Sequence, residues 1–226
     1  MLGRIGLVTV VAALAWIDHS PAHACEQFIV TAKIVANGGK GGIIVYSDAS
    51  PTKGEPYEVG VLQKQWRFQL PNKREVEPMV EVMAPGLVVY TLPDGVEKAT
   101  LVDKAKKLAT LEAIDVQPLS PPKISAITHA ATKTGAETTV SIVGDLPEGV
   151  VALVLVDDTG TAMTFGRVDR KKPLVVYTRK PCARVPVGTV EPAVGMKVAA
   201  FWVDKFGQAS KRSVVKKIIT EPSKEP

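Results

Sequence analysis

The sequence contains few of the side chains on which most catalytic and metal sites depend. Its 226 residues include three histidines and two cysteines. Neither an H-E-x-x-H motif nor a C-x-x-C pair occurs, and no G-x-S-x-G elbow is present. Two histidines, His19 and His23, precede the export cleavage site predicted below, so a catalytic triad would depend on His129. We therefore predict no enzyme, no metal and no cofactor, and we expect His129 in an exposed loop.

Long apolar runs are also absent. The apolar stretch at residues 5–16 is shorter than the roughly 20 residues that span a bilayer, so we predict no transmembrane helix. Arg4 before this stretch, and small residues at Ala22 and Ala24 after it, match a signal peptide cleaved after residue 24. The sequence therefore predicts an exported protein of the periplasm, the cell surface or the extracellular space, with Cys25 at its mature N-terminus.

The two cysteines, Cys25 and Cys182, leave three alternatives open for Cys25: a disulfide, a lipid anchor or a free thiol. An oxidising compartment favours a disulfide between them. A lipid anchor on Cys25 is another reading, although Ala22-His23-Ala24 lacks the two central features of a lipobox.

Short runs rich in Val, Ile and Thr, punctuated by Gly, Pro, Asn and Asp, favour an all-β chain. Residues 37–42 (NGGKGG) predict a hairpin turn. A phosphate-binding loop fits less well because Lys40 is not followed by Ser or Thr. Strands are predicted at 28–36, 43–47, 58–62, 66–70, 80–83, 87–91, 99–103 and 108–116.

One stretch, residues 97–114, fits either a helical face or a strand, a turn and a strand. An internal echo decides between them: LPDGVEKATLVD at 92–103 resembles LPEGVVALVLVD at 146–157. Because 151–156 is a continuous apolar run typical of a buried strand, we predict strands in both copies. We interpret the echo as one turn, between two early strands of a sandwich, used once in each half.

Three prolines near residue 120 predict a stiff connector between two halves. The predicted organisation is a signal peptide at 1–24, a β-sandwich at 25–116, a linker at 117–122, a second β-sandwich at 123–220 and a flexible tail at 221–226. In the second half, strands are predicted at 123–128, 137–144, 150–157, 174–178, 196–204 and 213–220.

The stretch 196–215 has the most specific local pattern. Its apolar residues alternate up to residue 202, and Asp204, Gly207 and Ser210 then follow at fixed spacing. This resembles the last hairpin of fibronectin type III and related bacterial immunoglobulin-like domains, although Gln208 stands where that pattern has Asn. The resemblance implies two immunoglobulin-like β-sandwiches in tandem. It also implies a spacer, scaffold or binding module without catalytic residues.

Charge supplies a further functional hint. The chain has a net charge of +5, and residues 167–184, here called the basic segment, contain one acid and seven cations: Arg167, Arg170, Lys171, Lys172, Arg179, Lys180 and Arg184. Such a segment favours binding to an anionic or sugar polymer, or forms a solvated loop that protects strand edges. Tyr177 alone supplies an aromatic ring there, which argues against binding of single-stranded nucleic acid.

Other candidates have structural interpretations. Asp157 and Asp158 beside Gly160 predict a turn rather than a calcium site. Trp66 and Trp202 lie in alternating patterns, which predicts core positions rather than a sugar-stacking surface. The function predicted from the sequence is an exported, non-enzymatic structural or interaction module whose partner is another protein or an envelope polymer. The alternatives are a polymer-binding module and a carboxylate-based hydrolase of an extracellular polymer.

Overall fold

A computed structural model describes residues 31–35, 41–48, 66–115, 118–132, 135–179 and 185–221. Within these ranges the chain forms strands and no helix, which confirms the all-β prediction. The strands are β1 (Thr31–Val35), β2 (Ile43–Asp48), β3 (Trp66–Gln69), β4 (Glu75–Val76), β5 (Met79–Ala84), β6 (Leu87–Thr91), β7 (Lys98–Asp103), β8 (Lys106–Glu112), β9 (Ile124–Thr132), β10 (Gly135–Ile142), β11 (Val150–Asp157), β12 (Ala162–Arg167), β13 (Leu174–Arg179), β14 (Lys197–Asp204), β15 (Lys216–Lys217) and β16 (Ile219–Thr220).

These strands form four sheets of four strands each. In the N-terminal sandwich (β1–β8), the sheet β1-β2-β6-β5 packs on the sheet β4-β3-β7-β8. In the C-terminal sandwich (β9–β16), the sheet β12-β11-β14-β15 packs on the sheet β13-β10-β9-β16. Described neighbours are antiparallel except β16, which pairs with β9 in parallel.

Each sandwich has its own apolar core, and each core contains a tryptophan. Trp66 and Phe68 alternate inward from β3, and the Trp66 ring lies 5.2 Å from that of Tyr90. Burial raises the pKa of Tyr90 to about 12. In the C-terminal core, Trp202 is 1% exposed and packs with Leu153 and its neighbours. Both tryptophans are therefore core residues, as predicted.

A third apolar layer joins the two sandwiches. We call it the central layer; it contains Ile44, Tyr46, Met83, Ala84, Leu87, Val89, Ala152, Val154, Val156, Ala199 and Val203. Its residues come from β2, β5 and β6 on one side and from β11 and β14 on the other. The four sheets consequently stack face to face, and the two inner sheets are buried on both faces. This explains why Ile43–Tyr46 and Val150–Val156 are nearly continuous apolar runs rather than alternating ones.

The ambiguous stretch after residue 97 forms β7, a tight turn and β8, so the strand prediction is correct. Lys104 forms the turn with a positive φ of 55°. The echoed sequences share a local turn, since Gly95 and Gly149 both have positive φ. Their strands differ in place, however: β7 lies between β3 and β8, whereas β11 lies between β12 and β14. The echo therefore repeats a turn and a strand, but not a position in the topology.

Three further expectations differ from the structure. His129 lies within β9, half-buried, and its Nδ1 is 2.8 Å from the Thr138 hydroxyl, so it is not an exposed loop residue. The residues around His129 are polar, which predicted a loop, but they form the end of β9. No strand was predicted at β12, which contains Gly166. The strand expected at 213–220 is divided into β15 and β16, which belong to different sheets.

Several predicted features lie outside the described residues. They are the signal peptide at 1–24, Cys25, the strand at 58–62, residue 117 of the linker, Lys180, Cys182, Arg184 and most of the tail at 221–226. In the part of the chain that the structure describes, no helix has the length and apolarity to cross a membrane.

Candidate functional site

The basic segment begins at the end of β12 and continues through a turn into β13. At its start, the Arg167 guanidinium lies 4.3 Å from the centre of the Tyr46 ring. Tyr46 belongs to β2 and to the central layer, so this cation–π contact connects the two sandwiches. The first cation of the segment thus takes part in the interface.

The next cations make contacts within the turns. Arg170 donates to the carbonyl oxygens of Leu146 (3.2 Å) and Pro147 (2.8 Å), which cap the turn before β11. Asp169 accepts a hydrogen bond from the Lys171 backbone N–H at 3.0 Å. The same aspartate forms an ion pair with Lys172 at 3.6 Å. Asp169 therefore has two roles in this turn: it accepts a backbone hydrogen bond and it pairs with a cation.

Arg179, at the end of β13, contacts both carboxylate oxygens of Glu191, at 3.1 and 3.4 Å. Burial, followed by the negative charge of Glu191, raises the pKa of Tyr177 on the same strand. The described basic residues therefore form a surface with several internal contacts rather than a row of uncompensated charge.

A cleft of about 710 Å³ lies between the edges of β12 and β13 and extends to Pro85 and Pro186. Gly166 permits the close approach of the two strands, because a Cβ there would lie 2.3 Å from the Val175 carbonyl oxygen. The buried Thr164 hydroxyl donates to the Val176 carbonyl oxygen at 2.9 Å and ties β12 to β13. The polar residues that line the cleft are Glu137, Thr164, Arg167, Asp169, Lys172, Tyr177, Thr178 and Thr189. The lining carries both signs of charge.

A second contact between the sandwiches uses glycines that the sequence analysis had assigned to separate hairpins. The Gly42 N–H donates to the Phe206 carbonyl oxygen at 2.6 Å. A Cβ on Gly207 would lie 2.4 Å from a Val89 methyl group. Glycine is therefore required here by close packing between two turns, as well as by the φ of +83° at Gly207. The sequence around each glycine does not indicate that Gly42 and Phe206 are in contact.

The turn at Asp204 also explains the fibronectin-like pattern. Its Oδ1 accepts the backbone N–H groups of Phe206 (2.8 Å) and Gln208 (2.9 Å). The Ser210 hydroxyl accepts the Trp202 N–H at 2.9 Å in a buried position. Asp204 and Gly207 thus close the turn, and Ser210 fastens the next segment to β14.

The acidic turn after β11 has a structural role as well. Asp157 Oδ1 accepts hydrogen bonds from the Thr159 hydroxyl at 2.7 Å and the Thr161 N–H at 2.8 Å. The hydrogen bond from Thr159 is the main cause of a lowered Asp157 pKa. The turn interpretation is therefore supported. Among the described residues, no group of three His, Cys, Asp or Glu side chains is placed to hold a metal ion.

Comparison with known proteins gives little further information. No family model matches the chain, and no curated protein matches it. Among solved structures, the chain is similar to one titled "Biofilm associated protein - BSP domain", with 11% identity and a TM-score of 0.23. The match covers 87% of this chain and 30% of that chain, so this chain spans about a third of its length.

Proposed function

We propose that the chain is an exported, non-enzymatic structural or interaction module of the periplasm or cell surface, in which two immunoglobulin-like β-sandwiches act as one rigid body. The central layer is the observation that carries this proposal. It buries eleven residues between the sandwiches. Apolar interfaces of this kind hold domains in a fixed orientation, whereas small polar ones let them move.

The strand orders support the immunoglobulin-like assignment. In the N-terminal sandwich, chain order assigns β1, β2, β6 and β5 to strands A, B, E and D, and β3, β7 and β8 to strands C, F and G. That is the arrangement of a constant-type immunoglobulin sandwich, with β4 added beside strand C. The C-terminal sandwich has the same C, F and G neighbours in β11, β14 and β15.

The rigid arrangement is testable with spin labels on one exposed residue in each sandwich. Asn72→Cys and Asp158→Cys place the labels, and Ser replaces Cys25 and Cys182. We expect double electron–electron resonance to give a single narrow distance distribution. A broad distribution would show that the sandwiches reorient freely, and would overturn the rigid-body proposal.

Two measurements test the rest of the proposal. Intact mass with and without reduction, followed by mapping of the Cys25 peptide, distinguishes a Cys25–Cys182 disulfide from a lipid anchor and tests export. Turnover of a defined envelope polymer by the purified chain, abolished by substitution of a single carboxylate, would replace the non-enzymatic assignment with a hydrolase.

Binding of an anionic polymer by the basic segment is a second candidate. It is favoured by the exposed pair Lys171 and Lys172 at the turn beside the cleft between β12 and β13. We expect Lys171→Glu with Lys172→Glu to reduce retention on heparin and to weaken its salt dependence. Lys106→Glu with Lys107→Glu, at two exposed positions on β8, is the control matched in charge. Equal retention of both variants would exclude the basic segment as the binding surface.

A further inference from the structure

The two inner sheets end in exposed edges of opposite character. At one edge, β5 pairs with β6 and with no other described strand. Its residues Met79, Val80 and Val82 are all exposed, Val82 to 68%. Exposed apolar edge strands are the surfaces on which chains add strands to one another, and natural proteins usually protect them. Here a bulge after Val82 and the charge of Glu81 give partial protection.

The pairing register of β5 with β6 shows which face of the sheet carries Val80 and Val82. Val80 lies opposite Tyr90, and Val82 lies opposite Val88. Both partners belong to the core of the N-terminal sandwich. Val80 and Val82 are therefore on the core-facing side of their sheet, but beyond the cover of the opposing sheet. A strand added at this edge would extend that core.

The other edge is formed by residues 209–217, which follow β14 and include β15. Val214 is 80% exposed and Val215 is 50% exposed. On the inner side of this segment, Ser210 and Ser213 bond to β14 through their backbone N–H groups. The segment thus presents two exposed apolar side chains directly before β15, at the edge of its sheet.

The two edges have complementary charge. β5 carries Glu81 and no cation, and Glu75 and Glu77 lie in β4 and in the two residues that connect it to β5, whereas residues 211–217 (KRSVVKK) contain four cations and no acid. Some of these charges have partners already, because Glu77 pairs with Arg67 and Arg212 donates to the Gly160 carbonyl oxygen. The remaining charges favour contact between the two edges over contact of either edge with itself.

The edges also lie on opposite sides of the stack. β5 packs near β12, and β12 is the strand at the far end of its sheet from β15. The two surfaces therefore cannot meet within one molecule. A contact between different surfaces of identical chains repeats from copy to copy, and it continues unless the rotation closes a ring.

We propose that the chain assembles head to tail with copies of itself, the β5 edge of one copy adding to the segment 209–217 of the next. This proposal does not depend on where the protein is located or on the rigid-body proposal. A second copy is the occupant of each edge, because every copy carries both segments. The β5 edge is apolar and acidic, and the segment 209–217 is apolar and basic.

Two variants that each block one edge test the proposal. Val82→Arg places a cation on the β5 edge, and Val214→Glu places an acid on the segment 209–217. Both positions are exposed, so folding should be retained, and thermal unfolding checks this. Val143→Arg, 54% exposed and on neither edge, is the matched control.

We expect the wild-type chain and Val143→Arg to form a concentration-dependent series of oligomers in sedimentation velocity. Each blocking variant alone should be monomeric, with association weakened about tenfold or more. A mixture of Val82→Arg and Val214→Glu should recover association, because the intact β5 edge of Val214→Glu meets the intact segment 209–217 of Val82→Arg. High salt should weaken all of these contacts.

Three results would overturn the proposal. A wild-type chain that stays monomeric at high concentration would exclude self-assembly. Loss of association in Val82→Arg alone, with Val214→Glu unaffected, would indicate symmetric pairing of β5 with itself. Blocking variants that assemble as well as Val143→Arg would place the contact on some other surface.

Discussion

Replacement of Leu87 by Ala is the most direct test of the central layer. Leu87 is 1% exposed and faces the C-terminal sandwich. Its neighbours across the sheet are Tyr46 and Ala84. Removal of a buried leucine side chain costs about 2–5 kcal/mol, because apolar contacts are lost and a cavity remains. With a urea dependence of about 2 kcal/mol/M, the unfolding midpoint should fall by about 1–2.5 M.

The two core tryptophans allow each sandwich to be followed separately. With Trp16 replaced by Phe, Trp202→Phe leaves Trp66 to report on the N-terminal core, and Trp66→Phe leaves Trp202 to report on the other. Each reporter is compared with its own parent. If the central layer makes the molecule one cooperative unit, Leu87→Ala should shift both midpoints equally.

A shift of the Trp66 midpoint alone would refute this reasoning, because it would show that the sandwiches unfold independently. Val143→Ala serves as the control. Its side chain is exposed, so the free energy of unfolding should stay within about 0.5 kcal/mol of the parent and both midpoints within about 0.25 M.

Three further predictions concern single positions. Gly207→Ala should lower the free energy of unfolding more than Gly95→Ala, in thermal and urea melts, because both glycines have positive φ but only the Gly207 Cβ would meet a neighbour, at 2.4 Å. Ser210→Ala should cost about 1–3 kcal/mol by leaving the buried Trp202 N–H without its acceptor, and recovery of stability in Ser210→Thr would identify the hydroxyl as the cause. Tyr90, with a pKa raised to about 12, contributes stability that is present below its ordinary pKa of 10 and is lost as the pH rises from 10 to about 12; urea midpoints across that range should fall less in Tyr90→Phe.

Local patterns in the sequence predicted the elements that depend on local chemistry. The strands flanking Lys104 fitted a local pattern of strand, turn and strand, and the resemblance to residues 146–157 decided against the helix that the same residues also fitted. The turn at Asp204 was correct because its carboxylate bonds only to backbone groups two and four residues later. The residues of such a turn are sufficient to predict it.

The missed features depend on residues that are distant in sequence. β12 was not predicted, and the need for Gly166 within it depends on the close approach of β13, which is eight or more residues away in the sequence. The continuous apolar run at Val150–Val156 was correctly identified as buried, but its length alone does not reveal that one face packs against the other sandwich. The contact of Gly42 with Phe206 likewise joins residues that no local pattern relates.

For the basic segment, too, the sequence does not show which residues lie next to one another. Composition identifies seven cations but does not show what they contact. Arg167 lies over Tyr46, Arg170 caps a turn, and Arg179 pairs with Glu191. Net charge therefore overstates the charge available to a ligand, because partners supplied by other strands are invisible in composition.

The central layer also makes covalent continuity between the sandwiches dispensable for their association. Strand pairing stays within each sandwich, and the apolar faces that meet in the central layer belong one to each. The connector therefore acts mainly to raise the effective concentration of one half around the other. Two chains divided near residue 118 and refolded together should find each other and rebuild the stack, which makes the molecule a candidate for fragment complementation.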